Sequence, residues 1–68
     1  MYTSQIYRFD GKTILAYGKG NLICSGRLTV LPNENGEDFV LIRSNHTDIR
    51  MPISSLYYVI ERPLGEQA

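Results

Sequence analysis

Apolar and polar residues alternate with a period of two along much of this chain, which is typical of β-strands with one face on a core. The longest example is Leu22–Leu31, where Ser25, Arg27 and Thr29 share the polar face. The opposite face carries Leu22, Cys24, Gly26, Leu28 and Val30. Gly26 inside such a strand indicates a sharp bend or a close approach of another backbone.

Short segments of similar composition occur on both sides of this strand, and turns rich in glycine, asparagine and proline separate them. No segment sustains a helical period. Strands are predicted over Lys12–Tyr17, Leu22–Leu31 and Phe39–Ser44, with two more inside Asp48–Glu61. We therefore predict an all-β fold, a small five-stranded antiparallel barrel, with a small sandwich as the related alternative.

The segment Asp48–Glu61 gives the most information about the architecture. It reads as a short strand, one helical turn at Ser54 and Ser55, and a second short strand. A single turn between two strands is typical of small barrels, in which the chain crosses from one sheet to the other. Pro52 is expected at a strand end or on an edge. The serine hydroxyls are expected to cap the turn.

Three regions are predicted. Residues 1–10 form an N-terminal segment, residues 11–62 the barrel domain, and residues 63–68 a frayed tail. In the first region, Thr3 or Ser4 is suited to cap a short helix, whereas residues 5–9 suit an extra strand. The β-forming side chains of Ile6, Tyr7 and Phe9 favour the strand.

The length of 68 residues allows one domain with a thin core. Small domains of this kind usually need a disulfide, a metal or a partner subunit. Cys24 is the only cysteine, so an internal disulfide is excluded. Association between identical subunits is the expected source of extra stability.

Seven basic residues balance seven acidic ones, so the formal net charge is zero. Nucleic-acid binders are usually basic, and a neutral one must gather its positive charge on one face. The chain has no apolar run of the roughly 18 residues that a membrane span needs, and no signal-peptide core. A cytoplasmic protein without a membrane partner is expected.

The candidate chemical groups do not form a catalytic or metal-binding pattern. Cys24 lies on an apolar strand face, where a thiol is inert packing, and His46 lies in a polar turn. A metal site needs several convergent ligands, which one histidine does not supply. The acidic cluster Glu34, Glu37 and Asp38 reads as a solvated hairpin tip. We therefore expect no enzyme, no metal and no cofactor.

The last predicted strand indicates self-association. Its residues are apolar on both faces, which is unusual for a strand half exposed to water. At the edge of a monomer it would leave unpaired backbone groups, and a strand from a neighbouring subunit would cover them. The predicted subunit interface comprises Leu56, Tyr57, Tyr58, Val59 and Ile60.

Residues 10–61 resemble the Sm-like family, which includes the Sm, LSm and bacterial Hfq proteins. The stretch 20–28 resembles the family pattern of glycine, spacer, apolar residue, spacer and Gly-x-Leu. Ile49 and Arg50 stand where the second family motif has an apolar and a basic residue. The stretch 50–56 is similar to the Hfq sequence Lys-His-Ala-Ile-Ser-Thr-Ile. The chain departs from the family at Pro32, where an aspartate and an asparagine are usual, and at Met51, where a glycine or histidine is usual.

The resemblance implies a homo-oligomeric ring of about five to seven subunits that binds single-stranded RNA. It places Arg50 and Met51 in a pocket near the pore, with Tyr17 or Phe39 as a stacking partner. The alternative is an SH3-like barrel that binds protein. Such a module would serve as an accessory subunit of a larger assembly, for example of a phage or mobile element, without binding nucleic acid.

Overall fold

A computed structural model describes residues 3–62 of the chain. Short helical elements precede the first strand and separate the last two strands of an otherwise all-β arrangement. Within this range, no helix has the length and apolar composition needed to cross a membrane. The elements are helix α1 (Thr3–Ile6), a first 3₁₀ turn (Tyr7–Phe9), β1 (Thr13–Tyr17), β2 (Leu22–Leu31), β3 (Phe39–Arg43), β4 (Asp48–Pro52), a second 3₁₀ turn (Ile53–Ser55) and β5 (Tyr58–Glu61).

The five strands form one antiparallel sheet in the order β4-β3-β2-β1-β5. This confirms the predicted all-β fold with five antiparallel strands and a helical turn before the last one. The sheet is not closed, because β4 and β5 do not pair with each other. Among the described residues, both edge strands, β4 and β5, therefore have one unpaired side, and both belong to the segment 48–61.

Gly26 lies at a close approach of another backbone, one of the two roles that its place within β2 indicates. Its φ of 154° is one that L side chains rarely adopt. A Cβ at this position would collide with the carbonyl oxygen of Arg43 and lie 2.6 Å from its carbonyl carbon. The absence of a side chain therefore allows β2 and the end of β3 to approach closely.

The core lies on one face of the sheet, and alternate residues of β1 and β3 point into it. The predicted inward face of β2 holds for Leu28 and Val30, which are buried, but not for Leu22, which is 51% exposed. A register shift beside Ala16 and Tyr17 places Leu22 opposite Tyr17 and removes it from the inward series. The buried hydrophobic residues in the described part of the chain are Ile6, Ile14, Ala16, Leu28, Val30, Val40, Ile42, Ile53, Leu56 and Val59.

The N-terminal segment is helical from residue 3 to residue 9, so the preference for an extra strand is wrong. Helical geometry lets Ile6 enter the core completely while its neighbour Tyr7 stays 45% exposed. Asp10 then ties the segment to the sheet, because its carboxylate accepts a hydrogen bond of 2.9 Å from the Val30 N–H. The predicted frayed tail, 63–68, lies outside the described residues.

The second 3₁₀ turn is capped by a side chain from another loop. The expected capping by the serine hydroxyls is wrong, because the N-cap residue is Pro52 and no side chain of the turn caps it. Instead the Glu37 carboxylate accepts hydrogen bonds from both the N–H and the hydroxyl of Ser54. The Ile53 N–H donates to the carbonyl of Asp38 at 3.2 Å. The acidic loop is thus a structural clamp as well as a solvated tip.

Removing this clamp should lower the stability of the domain. We expect Glu37→Ala to reduce the free energy of unfolding by about 1–2 kcal/mol, since hydrogen bonds to charged groups contribute that much when partly exposed. Urea unfolding followed by circular dichroism measures the change. Glu34→Ala is the matched control, because Glu34 lies in the same loop and makes no hydrogen bond within residues 3–62. Equal unfolding midpoints for the two variants would contradict the assignment.

Candidate nucleic-acid interface

Phe39 and Arg50 form a surface pair at the β4 edge of the sheet. Leu41 lies opposite Arg50 across β3 and β4, and Phe39 lies opposite Pro52. Phe39 and Arg50 therefore alternate with the inward residues of their strands and share the outer face of the sheet, the face away from the core. The Arg50 Cζ lies 5.3 Å from the centroid of the Phe39 ring. We call these two residues the Phe39–Arg50 pair.

The contact between the two side chains is a cation–π interaction. At an exposed site it contributes about 0.5–1 kcal/mol, which orients the guanidinium but leaves it easy to displace. Phe39 is half-buried and Arg50 is exposed. Within the described residues, no carboxylate lies within 4.0 Å of the Arg50 guanidinium. Its N–H donors therefore remain available to a ligand.

The loops around the Phe39–Arg50 pair hold it in place. Asp38, directly before Phe39, accepts a hydrogen bond from the Asn33 N–H at 2.9 Å and another from the Ile53 N–H. The Glu37 clamp on Ser54 fixes the same junction from the other side. The pair thus projects from strand ends that are anchored to each other.

The other two predicted RNA-binding residues lie elsewhere. Met51 follows Arg50 on β4, points to the opposite side and packs, half-buried, against the core. Tyr17 lies on β1, with β2 and β3 between it and β4. Its ring stacks on Tyr58 of β5, with centroids 4.6 Å apart and planes 5° from parallel. Within one subunit, the structure brings together only Phe39 and Arg50 of the four.

The predicted interface residues divide into two sets. Leu56 and Val59 are 1% and 7% exposed and belong to the subunit's own core. Tyr57, Tyr58 and Ile60 are 58%, 49% and 45% exposed. The proposal of a subunit contact therefore depends on these three side chains and on the free edge of β5.

Cys24 and His46 lie in different environments. Cys24 is half-buried beside the core, and burial raises the pKa of its thiol, which disfavours the nucleophilic thiolate. His46 is exposed in the turn between β3 and β4. Within residues 3–62, no three metal-ligating side chains come together.

The three strand arginines of the sequence are only partly clustered. Arg27 and Arg43 lie directly opposite each other on β2 and β3, whereas Arg50 lies apart beside Phe39. The cross-strand register decides this grouping, and the spacing along the chain gives no signal for it.

No protein-family model, no curated protein and no solved structure matches this chain.

Proposed function

We propose that this chain assembles edge to edge into a Sm-like ring that binds single-stranded RNA through its Phe39–Arg50 pairs. The observation that carries the proposal is the exposed Arg50 guanidinium lying over an aromatic ring without a carboxylate partner among the described residues. Bases of single-stranded RNA stack on aromatic rings and on arginine planes. The unpaired thiol of Cys24 fits the reducing, cytoplasmic setting that the proposal assumes.

A ring compensates for the neutral charge of the single chain. Each subunit contributes one Phe39–Arg50 pair beside the β4 edge. Copies of this pair repeat around a closed ring at a fixed spacing, so one strand of RNA contacts several of them at once. Linked weak contacts of this kind raise the overall affinity through effective concentration.

Stacking supplies most of the binding energy in this proposal. A base stacked on an aromatic ring contributes about 1–3 kcal/mol, more than one exposed charge contact. The guanidinium is held against Phe39 on one side, so a base stacks on its other side or replaces it on the ring. The donors of Arg50 then reach the base edge or a phosphate oxygen.

Substitution of the pair should weaken RNA binding selectively. We expect Phe39→Leu, which keeps an apolar side chain but removes the ring, to weaken the binding of a fluorescent oligouridine or oligoadenosine by about tenfold or more. Arg50→Lys should weaken it similarly, because lysine keeps the charge and loses the planar stacking surface. Fluorescence anisotropy at several salt concentrations measures both effects.

Lys19→Gln serves as the control, since it removes one exposed charge from the turn between β1 and β2. It should leave the affinity within about twofold. Native affinity in Arg50→Lys would show that the arginine contributes charge alone and would contradict the stacking site. Absence of RNA binding at low salt would reject the RNA proposal and favour the protein-interaction module.

A further inference from the structure

A polar cavity of about 360 Å³ lies on the outer face of the sheet, away from the Phe39–Arg50 pair. It is found where β1 and the part of β2 around Gly26 meet the turn after β3. Three of its lining side chains are arginines, Arg27, Arg43 and Arg62, and none is acidic. Ser25 and Asn45 add neutral hydrogen-bonding groups to the same wall.

The backbone brings the three arginines to this cavity. The antiparallel register of β2 and β3 sets Arg27 opposite Arg43. Thr13 of β1 lies opposite Arg27 on its other side. The Arg62 N–H donates to the Thr13 carbonyl at 2.9 Å, which holds the end of β5 at the cavity. The grouping therefore follows from strand pairing and does not depend on the conformation of a loop.

The described residues leave the positive charge of the cavity largely uncompensated. Among the described residues, one carboxylate lies within 4.0 Å of these three guanidinium groups, that of Asp48, whose Oδ2 is 3.4 Å from the Arg43 Nε. Within the described residues, no carboxylate lies within 4.0 Å of the Arg27 or Arg62 guanidinium. Like charges directly opposite each other in a sheet are destabilising. Three of the seven basic residues of a chain without net charge are thus concentrated where they repel each other.

We propose that this arginine cavity binds a phosphate group, carried either by a free phosphate compound or by a nucleic-acid backbone. Guanidinium groups present planar pairs of N–H donors that match phosphate oxygens, and an anion relieves the repulsion among them. The volume is within the range of small-molecule sites, so the cavity accommodates a group of nucleotide size. The site shares no residue with the Phe39–Arg50 pair and goes beyond the proposed function.

The first experiment titrates the full-length protein with inorganic pyrophosphate at constant ionic strength. The arginine Nε–Hε signals are followed by NMR. We expect saturable shifts at Arg27, Arg43 and Arg62 and none at Arg50. Arg27→Gln and Arg62→Gln should each weaken binding by about tenfold or more, since one charge-assisted hydrogen bond is lost. Arg8→Gln, in the first 3₁₀ turn, should leave the affinity unchanged.

The same variants distinguish a ligand site from a structural cluster. Without ligand, Arg27→Gln should melt at the same temperature as the native protein or higher, because it removes a repulsion. A lower melting temperature together with unchanged pyrophosphate affinity would overturn the proposal. An absence of saturable shifts with both pyrophosphate and the strand described next would also overturn it.

A second probe separates the two sources of phosphate. A short strand of abasic deoxyribose phosphates carries the backbone and no base, so it does not engage the Phe39–Arg50 pair by stacking. It is tested on the Phe39→Leu, Arg50→Gln double variant. Binding that Arg27→Gln abolishes would assign the cavity to a nucleic-acid backbone. If Arg27→Gln weakens the binding of pyrophosphate and does not affect the abasic strand, the cavity would be assigned to free phosphate compounds. Either result supports a phosphate site, whether or not the RNA proposal holds.

Discussion

Replacing Gly26 with alanine should leave the domain without a cooperative unfolding transition. The backbone conformation at Gly26 strains any L side chain by about 1–3 kcal/mol. The new Cβ would also collide with the backbone of Arg43, which has no rotamer by which to move away. A core of this size supplies only about 3–5 kcal/mol in total. The strain and the forced separation of β2 from β3 together exceed that reserve.

Two other glycines make the Gly26 experiment quantitative. Gly20 has a φ of 86° but open space around its Cβ position, so Gly20→Ala should cost only the conformational strain, about 1–2 kcal/mol. Gly36 lacks a positive φ, and its Cβ would meet Asn33 Nδ2 at an ordinary 3.6 Å, so Gly36→Ala should be almost neutral. Thermal and urea unfolding of the three variants measures this order. A folded Gly26→Ala with stability near that of Gly20→Ala would contradict the close approach.

Much of the fold follows from the sequence because local patterns determine it. Alternation defines β2, and short runs of apolar, β-forming residues define β1 and β3. A glycine within an alternating strand has few roles besides a bend or a close approach. Pro52 shows the same logic, since it ends the edge strand β4. The N-terminal segment was predicted wrongly because Ile6, Tyr7 and Phe9 satisfy a strand and a short helix equally. The complete burial of the Ile6 side chain in the core, which the local sequence does not show, decides between them.

The site was less predictable because contacts between strands depend on register. The sequence predicts Arg50 and Phe39 as separate candidates, but only the pairing of β3 with β4 places one over the other. Tyr17 was a candidate for base stacking, yet the pairing of β1 with β5 gives it Tyr58 as a partner. A one-residue change in either register would move the side chains to opposite faces.

The free edges of the sheet have matching hydrogen-bond patterns. Thr13 and Arg62 form a hydrogen-bonded pair, so by the alternation of antiparallel ladders the N–H and C=O groups of Val59 and Glu61 point away from β1. The Ser44 N–H donates a hydrogen bond to the Thr47 carbonyl. By the same rule, the N–H and C=O groups of Asp48 and Arg50 point away from β3. Each edge therefore has two residues, separated by one, whose backbone N–H and C=O groups point outward.

An antiparallel pairing between subunits uses all of these groups. With Arg50 opposite Val59 and Asp48 opposite Glu61, the ladder continues from β4 of one subunit into β5 of the next. This register also sets Ile60 opposite Ile49 and Tyr58 opposite Met51. The exposed side chains of β5 would then cover the half-buried side chains of β4. Because two different edges meet, the contact is head-to-tail and closes into a ring when the rotation permits.

Blocking the β5 edge should prevent assembly of the proposed ring. Glu61→Pro removes one outward N–H without removing a bond to β1, so the subunit should fold and remain a 7.7 kDa monomer by native mass spectrometry at micromolar concentration. Glu61→Ala is the matched control, because it loses the same carboxylate and its 3.5 Å contact with Lys12 but keeps the N–H. It should remain assembled at least as tightly, because it also removes the carboxylate that this register places opposite Asp48.

Side-chain substitutions test the same contact independently. Ile60→Asp and Tyr58→Asp should also give folded monomers, since each places a carboxylate against an apolar residue of the neighbouring β4. Val59→Asp should instead unfold the subunit, because Val59 is only 7% exposed and packs in the core. Circular dichroism separates the two outcomes. A native protein that is monomeric at micromolar concentration would rule out the ring.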